Sequence, residues 1–323
     1  MSPDDAIRVG LVLQERDLLA WQGRLDHLAG LAVEAGLDHL VVGDHVSFAG
    51  GHGADGLIQA TALLSAHPAV SVQTGVYLLG LRHPAVVARQ LSTLALIAPG
   101  RLCFGIGVGG DDRRELELCG VDPRTGGART DEALRLLRAF LTGEEATFDG
   151  RFFAVEAAAI RPAPQPPVPI LVGGRSDAAA ERTGRLGEGW IGVWVSPRRF
   201  EEMSRLVADA ADAAGRPPQR WRHTLQLWAG IGATRQEGVA RVKPVMERAY
   251  GQEFGRFARY TLCGDADDLA EGLEPYLAAG CRRFNFVPEA AGLEVAIDTI
   301  ARVKEILIGC ADGGRLRSRA ARA

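Results

Sequence analysis

Residues 103–110 read CFGIGVGG, and the reading of their glycines decides between two folds. Gly105, Gly107 and Gly110 match G-x-G-x-x-G, the pattern that carries a pyrophosphate beneath the first helix of a doubly wound sheet. That pattern needs the first βα turn, an immediate helix, and an acid at the end of the next strand about twenty residues on. None of this context is present. RLCFGIGV (101–108) is the fourth apolar run of the chain, and the charged stretch DDRRELELCG (111–120) follows it. Asp131 lies at the right distance but opens a helix, TDEALRLL. No G-K-[ST] follows, so a Walker loop is excluded. At the C-terminal end of a strand such glycines either let a flat ligand approach the backbone or make a turn with no ligand.

Outward from this stretch, β-rich runs alternate with helical ones. Strands are expected at 7–13, 39–44, 70–78, 101–108, 169–174, 189–194, 224–233 and 283–288. Leu25, Leu28, Leu31 and Ala32 form a helix face that ends at Gly36. Further helices are expected at 57–66, from His83-Pro84 to Ala98 with proline at the first helical position, and at 130–141 behind Thr130 as N-cap. Others follow at 176–186, 198–214, 235–250, 266–280 and 293–307. Near-continuous apolar strands suit a parallel sheet covered by helices. Eight βα units over this length predict an α/β fold, a (β/α)8 TIM barrel in one domain over residues 1–310. Alternation alone leaves a doubly wound sheet open as well.

Two regions break the rhythm. Residues 143–168 read as an inserted hairpin, turning at Asp149-Gly150 between Phe148 and Phe152, then a stiff proline connector. Residues 109–129 read as a long polar loop. Such loops, at the C-terminal ends of barrel strands, carry function. The end, ADGGRLRSRAARA (311–323), reads as a basic disordered tail.

Composition narrows the class. The net charge is −3 and 47% of residues are apolar, so no nucleic-acid or membrane partner is expected. The five cysteines are widely spaced with no C-x-x-C, which predicts reduced thiols and a cytoplasmic protein. MSPDDAIRVGLVL is acidic where a signal peptide is basic. Of 37 Lys plus Arg, only Lys243 and Lys304 are lysine, a bias that points to a GC-rich, actinobacterial genome.

Several residues stand where chemistry is done. Gly173-Gly174 lead from a strand into a helix beginning near Ser176, whose free N–H groups and dipole suit an anion. Arg175 adds a charged donor there; alternatively Ser176 only caps the helix and Arg175 is solvated. Asp44-His45 ends the second strand, where His45 can relay a proton near neutral pH and Asp44 can orient its ring. Gln14 and Trp194 end the first and sixth strands, lining the mouth or packing at its rim. The first strand has no H-x-H and the chain no H-E-x-x-H, so no metal is expected.

Taken together, VVGDHV (41–46), TGVYLLGLRHPAVVARQLSTLALIAPGRLCFGIGVGG (74–110), FDGRFF (148–153) and PAPQPPVPILVGGRSDAAAERTGRLGEGW (162–190) resemble the bacterial-luciferase-like superfamily. Within it the likeness is to the oxidoreductases that use the deazaflavin coenzyme F420. RTDEALRLLRAFL (129–141) and LAAGCRRFNF (277–286) extend the likeness over nearly the whole chain. The resemblance implies a barrel that binds F420, or FMN, at its strand ends. It implies a non-proline cis peptide at Gly75–Val76 backing the ring, His45 near the redox centre, and Gly107, Val108 and Gly109 beside the ring or ribityl chain. The phosphate falls to Gly173, Gly174, Arg175 and Ser176, and Asp44 joins the cofactor-binding set. Glu115 and Arg129 to Glu132 fit a family pattern read as structural. The sequence departs at Gly110, where many F420-dependent members carry Trp or Glu. That leaves His45 as the main proton-transfer candidate and counts against a sugar-phosphate dehydrogenase. The expected reaction is hydride transfer between F420 and a small C=C, C=N or C=O substrate. The alternatives are an FMNH2-dependent monooxygenase served by a separate reductase and a non-catalytic flavin-binding protein. F420's acidic tail would need arginines such as Arg82, Arg113, Arg114 or Arg175. Relatives commonly form dimers. Loops 46–56, 109–129 and 251–263 would shape the substrate pocket.

Overall fold

The structure, a computed structural model, describes residues 6–110 and 112–311. The chain begins β1 (Arg8–Leu13), α1 (Glu15–Ala20), α2 (Leu25–Glu34), β2 (His39–Val42), α3 (Gly56–Ala66), β3 (Val72–Thr74), β4 (Tyr77–Leu78) and α4 (Pro84–Ile97). It continues with β5 (Leu102–Gly107), α5 (Arg113–Leu118), α6 (Gly126–Leu141), β6 (Ala146–Asp149), β7 (Ala154–Ala158), β8 (Ile170–Gly173), α7 (Asp177–Leu186) and β9 (Gly189–Val193). The last third holds α8 (Pro197–Ala213), β10 (Thr224–Ile231), α9 (Arg235–Tyr250), β11 (Leu262–Gly264), α10 (Ala266–Ala278), β12 (Arg283–Glu289) and α11 (Leu293–Ala311).

Among the described residues, eight parallel strands form a ring in the order β1-β2-β3-β5-β8-β9-β10-β12. Two pairings close it. Thr224 of β10 lies opposite Ile191 of β9, and Val9 of β1 lies opposite Phe284 of β12. Closure decides for the TIM barrel over the doubly wound sheet. Alternate strand residues point in opposite directions. Leu11, Leu40, Phe104, Ile170, Leu225 and Phe284 are buried in one continuous apolar cluster with the helices. The residues between them face the barrel interior, and several are small or polar: Gly10, His39, Gln73, Cys103, Gln226 and Asn285. On this inner face His39 Nε2–H donates to Asn285 Oδ1 at 2.8 Å.

Several expectations are corrected. The third strand is split: β3 stops at Thr74, the Gly75–Val76 peptide is cis, and the chain resumes as β4 against β5, Tyr77 opposite Ile106. The stretch 109–129 is not one loop. It contains α5, started by Asp112, whose side chain accepts from the Arg114 N–H, and a 3-10 turn at Pro123–Thr125. Thr130 is not an N-cap. That turn feeds α6 from Gly126, four residues earlier, so Thr130 lies inside the helix and is fully buried. Both α1 and β11 were unforeseen; β11 pairs with β10 outside the ring. The inserted hairpin is present as β6 and β7, and it is pinned to α6 because Glu132 accepts from the backbone N–H of Arg151 and Phe152. Arg129 and Asp131 likewise serve the frame, donating to the Gly80 carbonyl and pairing with Arg182. Of the expected tail, residues 312–323 lie outside the described residues.

Candidate active site at the C-terminal mouth of the barrel

The strand ends meet around Val76. A Cβ on Gly107 would overlap the Val76 side chain, and one on Gly173 would lie 2.8 Å from Val76 Cγ1, closer than real contacts allow. Both positions therefore exclude any larger residue while Val76 stays where it is. The Gly75 carbonyl accepts from Gln226 Nε2 at 3.3 Å, and Gly75 N–H donates to Val42 O at 2.8 Å. Thr74 Oγ1 donates to Gly105 O at 2.7 Å. The result is a half-buried valine held on a low floor of glycines, with Val108 and Gly109 (φ +78°) at its side.

Beneath this floor lies a charged pair. Asp44 is 1% exposed. Arg82 donates to it twice, from Nη1 at 2.5 Å and Nη2 at 2.9 Å. The backbone N–H groups of Leu78 and Gly56 also donate to it, each at 2.9 Å. Arg82 lies over the Tyr77 ring, 4.3 Å from its centroid, and also donates to Asp55. Burial pushes the Tyr77 phenol well above its ordinary range. This corrects two expectations. The Asp44 carboxylate is spent on Arg82 and the backbone, so it does not orient His45. Arg82 is spent on Asp44 and is not a mouth arginine.

The partner of His45 is Glu115. His45 Nδ1–H donates to the Glu115 carboxylate, 3.1 Å to Oε2 and 3.3 Å to Oε1. The same carboxylate accepts from Val46 N–H at 2.6 Å and Ser47 N–H at 3.1 Å. Glu115 is 2% exposed, whereas the His45 side chain is 38% exposed. The ring stacks on Phe48 at 4.4 Å between centroids. With Nδ1 committed as donor, Nε2 is left as the acceptor nitrogen. Glu115, read from sequence as structural, is thus in contact with the proton-transfer candidate.

Gly173 ends β8, Gly174 follows at φ +145°, and Ser176 occupies the N-cap position of α7. Its hydroxyl makes no capping bond, so the capping alternative is not what the structure holds. Trp190 Nε1–H donates to Gly174 O at 2.6 Å and fixes the turn. The Arg175 guanidinium lies over the Trp194 ring, 5.1 Å from its centroid. Trp194 has φ +52°, an uncommon conformation for a bulky residue that signals local constraint. Its ring packs on Tyr250 at 4.7 Å and Phe257 at 4.8 Å.

Beside Arg175 and Trp194 opens a cavity of about 490 Å3, whose lining includes neither His45 nor Val76. Phe48 and Ala49, Asp112, and seven residues between Ala249 and Tyr260 line it, so all three loops expected to shape a pocket contribute. Trp194 and Arg175 line it too; Gln14 does not. Gln14 sits before α1, its Nε2–H donating to Glu289 Oε1 at 3.1 Å. Sequence reasoning missed Arg256, Arg259, Tyr250 and Phe257, which also line the cavity. Among the described residues no helix is long and apolar enough to cross a membrane.

Residues 20–283 match a family described as luciferase-like monooxygenase. The chain is 35% identical over 292 residues to an F420-dependent glucose-6-phosphate dehydrogenase of Beutenbergia cavernae, covering 82% of this chain and 85% of that one. In three dimensions it is similar to an F420-dependent secondary alcohol dehydrogenase in complex with an F420-acetone adduct. That likeness has a TM-score of 0.82 at 21% identity and covers 94% of this chain and 99% of the other. It is also similar to the oxygenating constituent of 3,6-diketocamphane monooxygenase from Pseudomonas putida in complex with FMN, with a TM-score of 0.71 at 17% identity, covering 94% and 98%.

Proposed function

Because the chain belongs to the luciferase-like monooxygenase family, we propose that it is a two-electron oxidoreductase working with coenzyme F420 at the open end of its barrel. When bound, F420 supplies hydride transfer to or from a small C=C, C=N or C=O substrate; the chain supplies position and electrostatics.

The observation that carries this reading is the floor at Val76, whose side chain packs so closely on Gly107 and Gly173 that neither has room for a Cβ. It suits one face of a planar ring. Val108 and Gly109 would flank the ring, and Gly75 and Val76 would back it. The free N–H groups at the start of α7, with Gly173, Gly174, the Ser176 hydroxyl and Arg175, would hold the phosphate. His45 would give or take the proton that accompanies the two-electron change, through Nε2. Glu115 holds its Nδ1–H and so keeps Nε2 in acceptor form until a proton arrives.

The second reading is an FMNH2-dependent monooxygenase with a separate reductase, and similarity to an FMN-bound enzyme favours it. That similarity is at 17% identity and speaks to the fold, whereas the F420-dependent relative is 35% identical over most of the chain. A flavin-binding protein without turnover is the third. The proposal includes a homodimer, a cytoplasmic location, an actinobacterial source and a separate enzyme that recycles the cofactor.

Titrating the purified protein with F420 and, separately, FMN, each followed by cofactor fluorescence, tests it. F420 should bind at micromolar concentration and more tightly than FMN. Indifference to both would overturn the proposal, and preference for FMN would transfer it to the monooxygenase reading.

A further inference from the structure

The cavity has two kinds of wall. One is aromatic: Trp194, Tyr250 and Phe257 pack on one another with ring centroids 4.7 to 5.3 Å apart. The Tyr250 hydroxyl is already engaged as acceptor of Trp228 Nε1–H, at 3.3 Å. The other wall is cationic: Arg175, Arg256 and Arg259 all line the cavity and are exposed. Among the described residues none of the three has a carboxylate in ion-pair range. Arg175 rests on Trp194 and Arg259 on Tyr260, while Arg256 donates to the neutral Gln252 at 2.8 Å. Asp112, the one carboxylate among the described lining residues, accepts from Arg114 N–H at 3.0 Å. Some arginines elsewhere are ion-paired, as Arg82, Arg182, Arg199 and Arg235 are, and others, such as Arg101 and Arg129, donate to backbone carbonyls.

The arginine-bearing segment is also held in place. α9 ends at Gly251 with φ +60°, and the chain makes 3-10 turns at Phe254–Arg256 and Ala258–Tyr260. Phe254 N–H donates to Glu247 Oε1 at 3.0 Å, Thr261 Oγ1 donates to Phe257 O at 3.0 Å, and Phe257 is buried. The backbone that carries Arg256 and Arg259 is thereby held beside three rings packed edge-on or tilted against one another.

Guanidinium groups recognise carboxylates by paired, charge-assisted hydrogen bonds, and clustered like charge raises the local concentration of anions. Aromatic walls favour a flat apolar body. We infer that this cavity selects a substrate with a planar apolar body and a carboxylate: the body against Trp194, Tyr250 and Phe257, the carboxylate on Arg256 and Arg259. A polyol phosphate would find few uncommitted hydroxyl or amide partners along the aromatic wall. The inference rests on the proposed function for the cavity's being the substrate side of the site.

Calorimetric titration with benzoate, its uncharged counterpart benzamide, and inorganic phosphate tests it, on the protein alone and saturated with F420. Benzoate should bind at least tenfold more tightly than benzamide and than phosphate. Arg256→Gln/Arg259→Gln should abolish the preference over benzamide while F420 affinity and thermal midpoint stay unchanged. Trp194→Ala should weaken benzoate and benzamide alike. Equal binding of benzoate and benzamide, or of benzoate and phosphate, would overturn the inference. So would a double variant that loses F420 affinity but keeps benzoate selectivity, since the arginines would then belong to the cofactor's acidic tail. Benzoate selectivity in a protein that ignores F420 would support the cavity's assignment and reject the cofactor proposal, so the two fail separately.

Discussion

Glu115 is buried beneath the rim of the barrel, yet its carboxylate lies 3.1 Å from Nδ1 of the half-exposed His45. A buried acid supporting a half-exposed imidazole fixes the tautomer and aim of the ring.

His45→Ala should lower turnover with F420 by roughly 10²–10⁴-fold, the usual contribution of a general acid–base group. F420 affinity should change little, because the glycine floor and the α7 start are untouched. Steady-state rates and fluorescence titration on one preparation check this; wild-type turnover would remove His45 from the reaction.

Glu115→Gln keeps an oxygen for Nδ1–H but removes the carboxylate charge facing the ring. Turnover should fall, because the ring loses the anionic partner that holds its Nδ1–H, with the F420 dissociation constant unchanged. Glu115→Ala should also lose about 1–3 kcal/mol of stability, since Val46 and Ser47 lose their acceptor. Glu115→Asp should recover part of both. A residue that only braced the loop would move stability and leave turnover per folded molecule in place.

Gly173→Ala places a Cβ 2.8 Å from Val76 Cγ1. Cofactor binding should weaken at least tenfold (about 1.4 kcal/mol), and the second substitution Val76→Ala should restore part of it by making room. Titrating both variants with F420 decides the matter; undiminished binding in Gly173→Ala would mean that the ring does not rest there.

Arg82→Met leaves Asp44 buried with only backbone donors. Breaking such a pair costs roughly 3–5 kcal/mol, so the thermal midpoint should fall by several degrees. F420 affinity per folded molecule should hold, since neither charge is free to meet a ligand. A selective loss of cofactor binding would return Asp44 to the site.

Stability should decline in mild acid. Burial pushes the imidazoles of His39 and His223 from 6.5 down to about 4. Above pH 6.5 both states are neutral and these groups are silent. As pH falls from 6.5 to about 4, protons bind the unfolded chain in preference, so stability falls, and it levels off below. The full shift is worth about 3 kcal/mol each, and less is expected because both residues are only partly buried. His223 Nδ1 also accepts from Trp190 N–H at 3.2 Å, a bond that protonation ends. His223→Gln should flatten the urea midpoint measured across this range, and an unchanged slope would contradict the account.

Much of this was legible in the sequence because it depends on local rules. Alternation placed the eight ring strands within a few residues, and His83-Pro84 opened α4 where capping chemistry requires, with His83 Nδ1 accepting from Ala85 N–H. Glycines at strand ends marked the mouth, since close approach of backbones leaves a trace in residue type. Side-chain pairing leaves none. Nothing in DDRRELEL says that Glu115 turns inward and Glu117 outward, because the short α5 had no periodic pattern long enough to show a face. Asp44 beside His45 invited the wrong pairing for a related reason. Neighbours along a chain leave in different directions, and Arg82, 38 residues on, reaches Asp44 first. Arg256 and Arg259 were invisible in a chain where arginine is everywhere.

The arginine segment 252–260 lies beyond the last turn of α9, outside the ring of strands. Descendants of this gene can therefore exchange that one stretch for another and acquire a new diet, while the machinery that handles electrons is inherited intact.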